Sequence, residues 1–433
     1  MSREMRFATI EDFVNPQTKV YKDPSVFSRS YIPSSFLFRE GEWRSIGNLL
    51  AGFLKSRDVL GYISGPPGTG KTHMAQKLIQ MFTEYAAKEE IKCRFIVINC
   101  RKLTYPAVIG QLARIYEPGY ALKRKSVHEI LVDITKMFKQ ENVLIVFDEA
   151  DKIIPSPPYN DPYDALFGDF SRFEEIYRVK NKVGCIIIAN NPSLDAGVEA
   201  STRSSFVPTR IEFKNYAAGE IRDILWERCE LGFQDGLIDL STIAAFAKHL
   251  KSYSHDLRVA FQVLAEVGEY INTKGEKRIE IEDLIDVLKI VEKKELVEMI
   301  IGLEDLQKIL LFLIAHICKK NKKDHSAATS DAVWEALQLY SKRFKGVEEK
   351  SQRHIFERVL PNLEAQGFFT TGSKGLGRGK GRVKYFSIQE SNLELFYDAL
   401  LEQMPATVEN WSITGDILSH NKDLLKNGEL KRL

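Results

Sequence analysis

The chain has 433 residues, of which 44% are hydrophobic and 28% charged. That is an ordinary soluble balance, and a chain too long for one compact core, so two to four domains are expected. Its 61 Lys and Arg nearly cancel 59 Asp and Glu, leaving a net charge of +2; any nucleic-acid surface must therefore be a local patch and not a global field. The longest apolar run in the C-terminal half, Ile309 to Cys318, includes His316 and is too short to span a bilayer. Met1 to Ile10 carries no signal-peptide core. The five cysteines are scattered without metal-ligand spacing, so buried thiols in a reducing cytoplasm are the expectation.

Residues 1–34 are polar, carry Pro16, Pro24 and Pro33, and show no sustained period, which predicts a partly ordered arm. Trp43, Ile46, Leu49, Leu50 and Phe53 then recur at helical spacing. A short strand, Leu60 to Ser64, leads into a glycine-rich loop, and Met74, Leu78, Ile79 and Phe82 mark one face of the following helix. Further strands are predicted at Cys93 to Asn99, Val143 to Phe147, Gly184 to Ala189 and Thr209 to Phe213. Strands alternating with helices imply a parallel sheet covered on both faces, as the run Ile186-Ile187-Ile188 requires. From about 214 to 297 the apolar pattern is helical, with a charged helix, Val291 to Met299, leading onward. Beyond Leu303 the chain reads as three helices and a hairpin.

Gly65-Pro66-Pro67-Gly68-Thr69-Gly70-Lys71-Thr72 has the spacing of a phosphate loop. Glycines let backbone amides approach phosphate oxygens, and the following helix presents its positive end to the anion. Lys71 is expected on the β- and γ-phosphates and Thr72 on Mg²⁺. The apolar strand ending in Asp148-Glu149 supplies two carboxylates at the edge where open parallel sheets bind ligands. Asp148 is expected to hold hydrated Mg²⁺, and Glu149 to polarise the attacking water. Asn190, closing the next strand, can orient that water, although Asn-Asn-Pro is also an ordinary turn.

These motifs, with Asp148-Glu149-Ala150-Asp151 and a helical domain after the sheet, resemble the AAA+ ATPases. Ile32-Pro33-Ser34-Ser35-Phe36-Leu37-Phe38-Arg39-Glu40, Ser254-His255-Asp256-Leu257-Arg258-Val259-Ala260 and the C-terminal unit resemble the archaeal origin-recognition and cell-division-control type of replication initiator. The likeness covers roughly residues 32–390. It implies an α/β fold: an N-terminal arm (1–34), an AAA+ parallel-sheet core (35–213), a helical lid (214–297), a winged-helix DNA-binding domain (298–390) and a C-terminal helical extension (391–433). It also implies that Arg258, in the first turn of a helix that Ser254 could cap, senses the γ-phosphate. His255 stands where the family often has Gly. A neighbouring subunit's arginine completes such sites; Arg203 is the candidate here and Arg210 the reserve. Residues Pro106 to His128, with Arg114, Lys123, Arg124 and Lys125, sit where such initiators carry a DNA-touching insertion, and a plain surface helix fits them equally.

In the C-terminal unit Ile355, Val359 and Leu363 line one side of a helix from about Glu349 to Gln366. His354 and Arg358 lie opposite, with Arg353 at the flank, as in a groove-reading helix. Pro361 predicts a kink or an early end. Two strands, Phe368 to Thr371 and Val383 to Ile388, enclose a glycine-rich basic loop. Lys374, Arg378, Lys380, Arg382 and Lys384 there can follow phosphates or enter a minor groove, as in a wing. The implied function is an ATP-dependent replication initiator that binds duplex origin DNA, uses ATP/ADP and Mg²⁺, and hydrolyses slowly as a switch. Its implied partners are the replicative helicase and other initiator subunits, its implied place the nucleoid in the cytoplasm, with no membrane. Two alternatives stand beside it: a regulatory DNA-binding protein that represses initiation, and a clamp-loader or motor ATPase acting on protein rings.

Overall fold

In a computed structural model of the chain, the described residues are 20–403 apart from 123, 139–140, 254–255, 321–326, 342–350, 376–381 and 389. Contacts divide it into two units, Met1–Ile285 and Asp286–Leu433.

The first unit is built on five parallel strands: β1 (Leu60–Ser64), β2 (Cys93–Asn99), β3 (Asn142–Asp148), β4 (Val183–Ala189) and β5 (Thr209–Glu212), in the order β2-β3-β4-β1-β5. Around them run α1 (Glu40–Leu54), α2 (Lys71–Lys88), α3 (Tyr105–Tyr116), α4 (Val127–Met137), α5 (Pro162–Ser171), α6 (Phe173–Tyr177) and α7 (Ala200–Ser205). The two-residue period of β3 splits its side chains between two cores. Leu144 and Val146 join Leu50, Phe53, Met74 and Leu78 of α1 and α2. Val143, Ile145 and Phe147 join Val108, Leu112, Leu131 and Phe167 on the other face. Burial of each such side chain stabilises by roughly 1.5–3 kcal/mol. This packing fixes the register Ser64 to Ala189 and Asn99 to Asp148, so the carboxyl ends of β1, β3 and β4 share one edge.

In the region expected as a lid follow α8 (Ala218–Gly232), α9 (Leu240–Tyr253) and α10 (Leu257–Lys274). The next helix, α11 (Ile281–Ile301), is continuous, so the last expected lid helix and the charged connector are one element. Residues 20–34, expected as a partly ordered arm, instead pack on the lid. Tyr21 stacks on Phe233 at 5.2 Å, and Phe27 lies 4.8 Å from the same ring. The Tyr21 hydroxyl donates to the Ala265 carbonyl at 2.8 Å and accepts from Gly268 N at 2.9 Å.

The second unit contains α12 (Asp305–Lys320), β6 (Ala327–Thr329), α13 (Ser330–Ser341), a composite helix α14, β7 (Thr370–Gly375), β8 (Arg382–Ser387) and α15 (Glu390–Gln403). The three strands form an antiparallel sheet, β6-β8-β7, and β6 was not expected. Ile309, Leu313, Val333, Leu337, Ile355, Leu363 and Phe386 share its core. Helix α14 starts at Gln352–His354, widens into a π turn at Ile355–Val359 and continues as Leu360–Ala365. Pro361 lacks an N–H, and its ring crowds the carbonyl four residues back. The π turn accommodates both, so the helix continues where a kink or early end was expected. Of the expected C-terminal extension, residues 404–433 lie outside the described residues.

Candidate nucleotide site and nucleic-acid surface

The phosphate loop is shaped by backbone that only glycine adopts freely. Gly65 has φ 144°, and a Cβ there would sit 2.1 Å from the Phe213 carbonyl oxygen. Gly68 has φ 74°, and its Cβ would meet the Asp256 carboxylate of the lid at 2.2 Å. The loop thus lies against both β5 and the lid, and opens on the first turn of α2, whose amides lack helical acceptors. Lys71 is 7% exposed. Its Nζ donates to the carbonyls of Gly65 at 2.5 Å and Pro66 at 2.7 Å, and to Asn190 Oδ1 at 3.1 Å. Burial lowers its pKa to about 8; the Arg258 charge adds to that, and Asp151 opposes it.

Thr72 Oγ1 donates to Asp148 Oδ1 at 3.0 Å. Asp148 is 4% exposed, and burial raises its pKa against the hydrogen bonds from Thr72 and the Glu149 amide. Glu149 adopts φ 52° and ψ 38°, a left-handed conformation that costs a non-glycine residue about 1–3 kcal/mol. Strain of this kind clusters at functional sites. One carboxylate oxygen lies 3.7 Å from Arg101 Nη1. The other, Oε2, is buried without a hydrogen bond. Asn190 is held by Asp151, whose oxygens accept from its amide N at 3.1 Å and its Nδ2 at 3.3 Å. Asp151, for which the sequence suggested no role, sets which way the Asn190 side chain points.

Arg258 opens α10, capped by Asp256 through the Arg258 amide at 2.9 Å. Ser254, the expected cap, lies outside the described residues, as does His255. The Arg258 guanidinium forks onto the same carboxylate, at 3.0 Å from Nε and 2.5 Å from Nη2. Loop, carboxylates, Asn190 and Arg258 line one cavity of about 540 Å³, together with His73, Arg29, Tyr31, Arg228 and Phe261. Arg228 was not anticipated. It is 6% exposed, with its guanidinium 4.2 Å from the Tyr31 ring and 3.1 Å from the Val26 carbonyl, joining the N-terminal segment to the lid. Arg39, in the entry segment, is buried over Tyr216 at 4.1 Å.

These residues fit a nucleoside triphosphate. The loop offers backbone donors and a lysine, and only glycine tolerates the close approaches at 65 and 68. Thr72 and Asp148 bring two oxygens together, as Mg²⁺ requires when phosphates supply the other ligands. Arg203 and Arg210 do not line the cavity. Arg203 bonds the Ala196 and Val198 carbonyls of its own loop, and Arg210 lies 5.0 Å over the Tyr62 ring.

In the second unit Arg353, Arg358, Arg382 and Lys384 are exposed, and His354 is half-buried. Arg353 pairs with Glu357 at 2.9 Å along α14. On β8, exposed Arg382 and Lys384 alternate with buried Val383 and Tyr385 and share a face with Phe386, at the end of the strand away from the core. Lys374 requires a correction. It pairs with Val383 in register, and directly paired residues share a face. It is 5% exposed, so its side chain is not presented on the surface as expected. Arg378 and Lys380 lie outside the described residues, as does Lys123 of the insertion. Lys125 there is committed to Asp133 at 2.8 Å.

Comparison with known proteins agrees with this geometry. The AAA domain family matches residues 54–196. The ORC1-type DNA replication protein 1 of Methanothermobacter thermautotrophicus is 25% identical over 390 residues, spanning 88% of this chain and 96% of its own. Its namesake in Archaeoglobus fulgidus is 24% identical over 385 residues, spanning 88% of this chain and 90% of its own. The fold is similar to that of the Aeropyrum pernix ORC1 protein in complex with DNA, with a TM-score of 0.73, 22% identity and coverage of 89% of this chain and 98% of that one. Cdc6p from Pyrobaculum aerophilum aligns with a TM-score of 0.54, 22% identity and coverage of 89% and 100%. Motifs, sheet and a likeness over most of the chain agree: in type, the chain resembles the AAA+ proteins of the archaeal origin-recognition and cell-division-control group.

Proposed function

We propose that the chain is a replication initiator that binds duplex origin DNA through its C-terminal unit and is switched by ATP binding and slow hydrolysis. The observation that carries the nucleotide half is the convergence of Lys71, the Thr72–Asp148 pair, Glu149, Asn190 and Arg258 on one cavity. Lys71 exchanges its loop carbonyls for β- and γ-phosphate oxygens. Thr72 and Asp148 hold Mg²⁺, which when bound offsets charge on those oxygens. Glu149, with an unpaired carboxylate oxygen, accepts the proton of the attacking water, and Asn190 orients that water. Arg258 leaves Asp256 for the γ-phosphate and draws α10 over the loop. Arg203, with Arg210 in reserve, serves a neighbouring copy's site. A contribution from Arg101, pairing with Glu149, is consistent with restrained turnover.

The DNA half rests on the exposed hairpin residues Arg382 and Lys384, read as a wing, and on Arg353, His354 and Arg358 of α14. The DNA complex of the Aeropyrum relative supports it by analogy of fold. Other initiator subunits and the replicative helicase are the partners that follow. The test pairs duplex binding in ATP and in ADP with turnover of wild type and Glu149→Gln. The substitution should retain ATP, lower hydrolysis by about 100-fold or more, and fix the protein in the ATP level of DNA affinity. Equal affinity in ATP and ADP would remove the switch. Rapid hydrolysis by a hexamer without DNA would instead favour a motor.

A further inference from the structure

Arg39 takes no part in the nucleotide chemistry, yet it is buried at a cost to stability. It is 5% exposed, and its Nε has no hydrogen bond. A buried charge with a donor unmet is destabilising, and an apolar side chain of like volume would fill the space without that penalty. The residue before it, Phe38, adopts φ 62°, a left-handed conformation that a non-glycine residue takes only against resistance. Its guanidinium is nonetheless held in one place. Nη1 pairs with Glu42 at 2.8 Å, and Nη2 donates to the Lys214 carbonyl at 2.5 Å. Cζ stands 5.3 Å from the centre of the Phe213 ring and 4.1 Å from that of Tyr216. The segment from Phe213 to Tyr216 joins β5 to α8, and it touches the phosphate loop at both ends. Phe213 N donates to the Ser64 carbonyl at 2.7 Å, and a Cβ at Gly65 would strike the Phe213 carbonyl oxygen. The Tyr216 hydroxyl donates to the Thr69 carbonyl at 3.3 Å. Tyr216 lines the nucleotide cavity, and Arg39 does not.

We propose that Arg39 is a positioning residue for the nucleotide, holding Tyr216 so that its hydroxyl fixes the Thr69 carbonyl and with it the phosphate loop. The Thr69 carbonyl and the Gly70 N–H belong to one planar peptide and point in opposite directions, so a hydroxyl that holds the first sets the direction of the second. Burial raises the Tyr216 pKa, and the Arg39 charge opposes that rise, which strengthens the hydroxyl as a donor. Arg39 thus acts on phosphate through Tyr216 and never by contact. This role rests on the nucleotide reading of the cavity. Failure of the wild type to bind ATP would remove that reading and this role together; binding by the wild type with unaltered variants would remove this role alone.

The experiment is calorimetric titration of the full chain with ATP and with ADP in Mg²⁺, well below each variant's melting temperature. Arg39→Met should weaken both nucleotides alike, by about five- to twentyfold, because the loop holds phosphates common to the two. Tyr216→Phe should weaken them by about two- to fivefold in the wild-type background and by less than about twofold beside Arg39→Met. Arg39→Lys keeps a cation over the ring without the fork, and its affinity should fall between those of the wild type and Arg39→Met. Turnover at saturating ATP should stay within about twofold of the wild type, which separates a fault in binding from a fault at Glu149. Should Arg39→Met not fold, Arg39→Lys replaces it in the cycle with Tyr216→Phe. A melting temperature that falls while the affinity of the folded protein is unchanged would leave Arg39 a structural residue and overturn the proposal. An effect of Tyr216→Phe that is the same in both backgrounds would overturn it as well.

Discussion

Gly68→Ala and Gly70→Ala separate the two tasks of the phosphate-loop glycines. Both positions have left-handed φ, 74° and 91°, so each alanine meets a backbone penalty of about 1–2 kcal/mol, partly offset by a stiffer unfolded chain. Their surroundings differ. At Gly70 the nearest atom to a new Cβ is the Tyr216 hydroxyl at 3.9 Å, ordinary contact. At Gly68 the Cβ would fall 2.2 Å from Asp256 Oδ1 and 3.0 Å from its Cα, so the first turn of α10 must move. Overpacking of this kind adds about 1–3 kcal/mol. In the nucleotide-free protein, thermal unfolding of Gly70→Ala should fall by about 2–6 °C, and that of Gly68→Ala by several degrees more. Adding Asp256→Ala should recover part of the Gly68→Ala loss and none of the Gly70→Ala loss, because only the former clash is with that carboxylate. Equal losses in the two variants, or no coupling to Asp256, would refute the placement of the lid on the loop.

Arg382→Ala with Lys384→Ala should weaken duplex binding and lower the slope of log affinity against log salt by about 1.8, the value for two phosphate contacts. Lys374→Ala should leave that slope unchanged and alter the melting temperature instead, because its side chain is buried; the reverse pattern would show the hairpin register to be wrong. Lys71 yields a pH signature. With a pKa near 8 in the free protein, it is about half deprotonated at pH 8, and phosphate raises that pKa. ATP binding should then take up as much as about half a proton at pH 8 and almost none at pH 6.5. Calorimetry in buffers of differing ionisation enthalpy measures this, and proton release at pH 8 would contradict the assigned contact.

The sheet was legible because its strands are runs of β-branched residues punctuated by glycine, asparagine and acid. The expected Val143 to Phe147 is one residue short of the observed strand at each end, and Gly184 to Ala189 one residue short at its start. The phosphate loop and its carboxylates were legible for the same reason: their chemistry is local in sequence. What escaped was non-local. Residues 20–34 have no period because Tyr21 and Phe27 pack on Phe233, two hundred residues away in sequence, and are fixed by aromatic contacts and not by an element. Lys374 read as part of a basic run; only the pairing with Val383 shows which face it takes. β6 is three residues, Ala-Ala-Thr, too short to leave a pattern. Asp151 and Arg228 act through partners that the sequence does not bring together, Asn190 in one case and Tyr31 in the other.

The central claim is that the cavity at Gly65–Thr72 governs occupancy of origin DNA. Its most direct test is genome-wide mapping of the DNA bound by the wild-type chain and by Lys71→Ala in the cells that encode it. The account predicts sharp peaks at replication origins that depend on Lys71. Occupancy scattered without regard to origins, or peaks unchanged in Lys71→Ala, would contradict it.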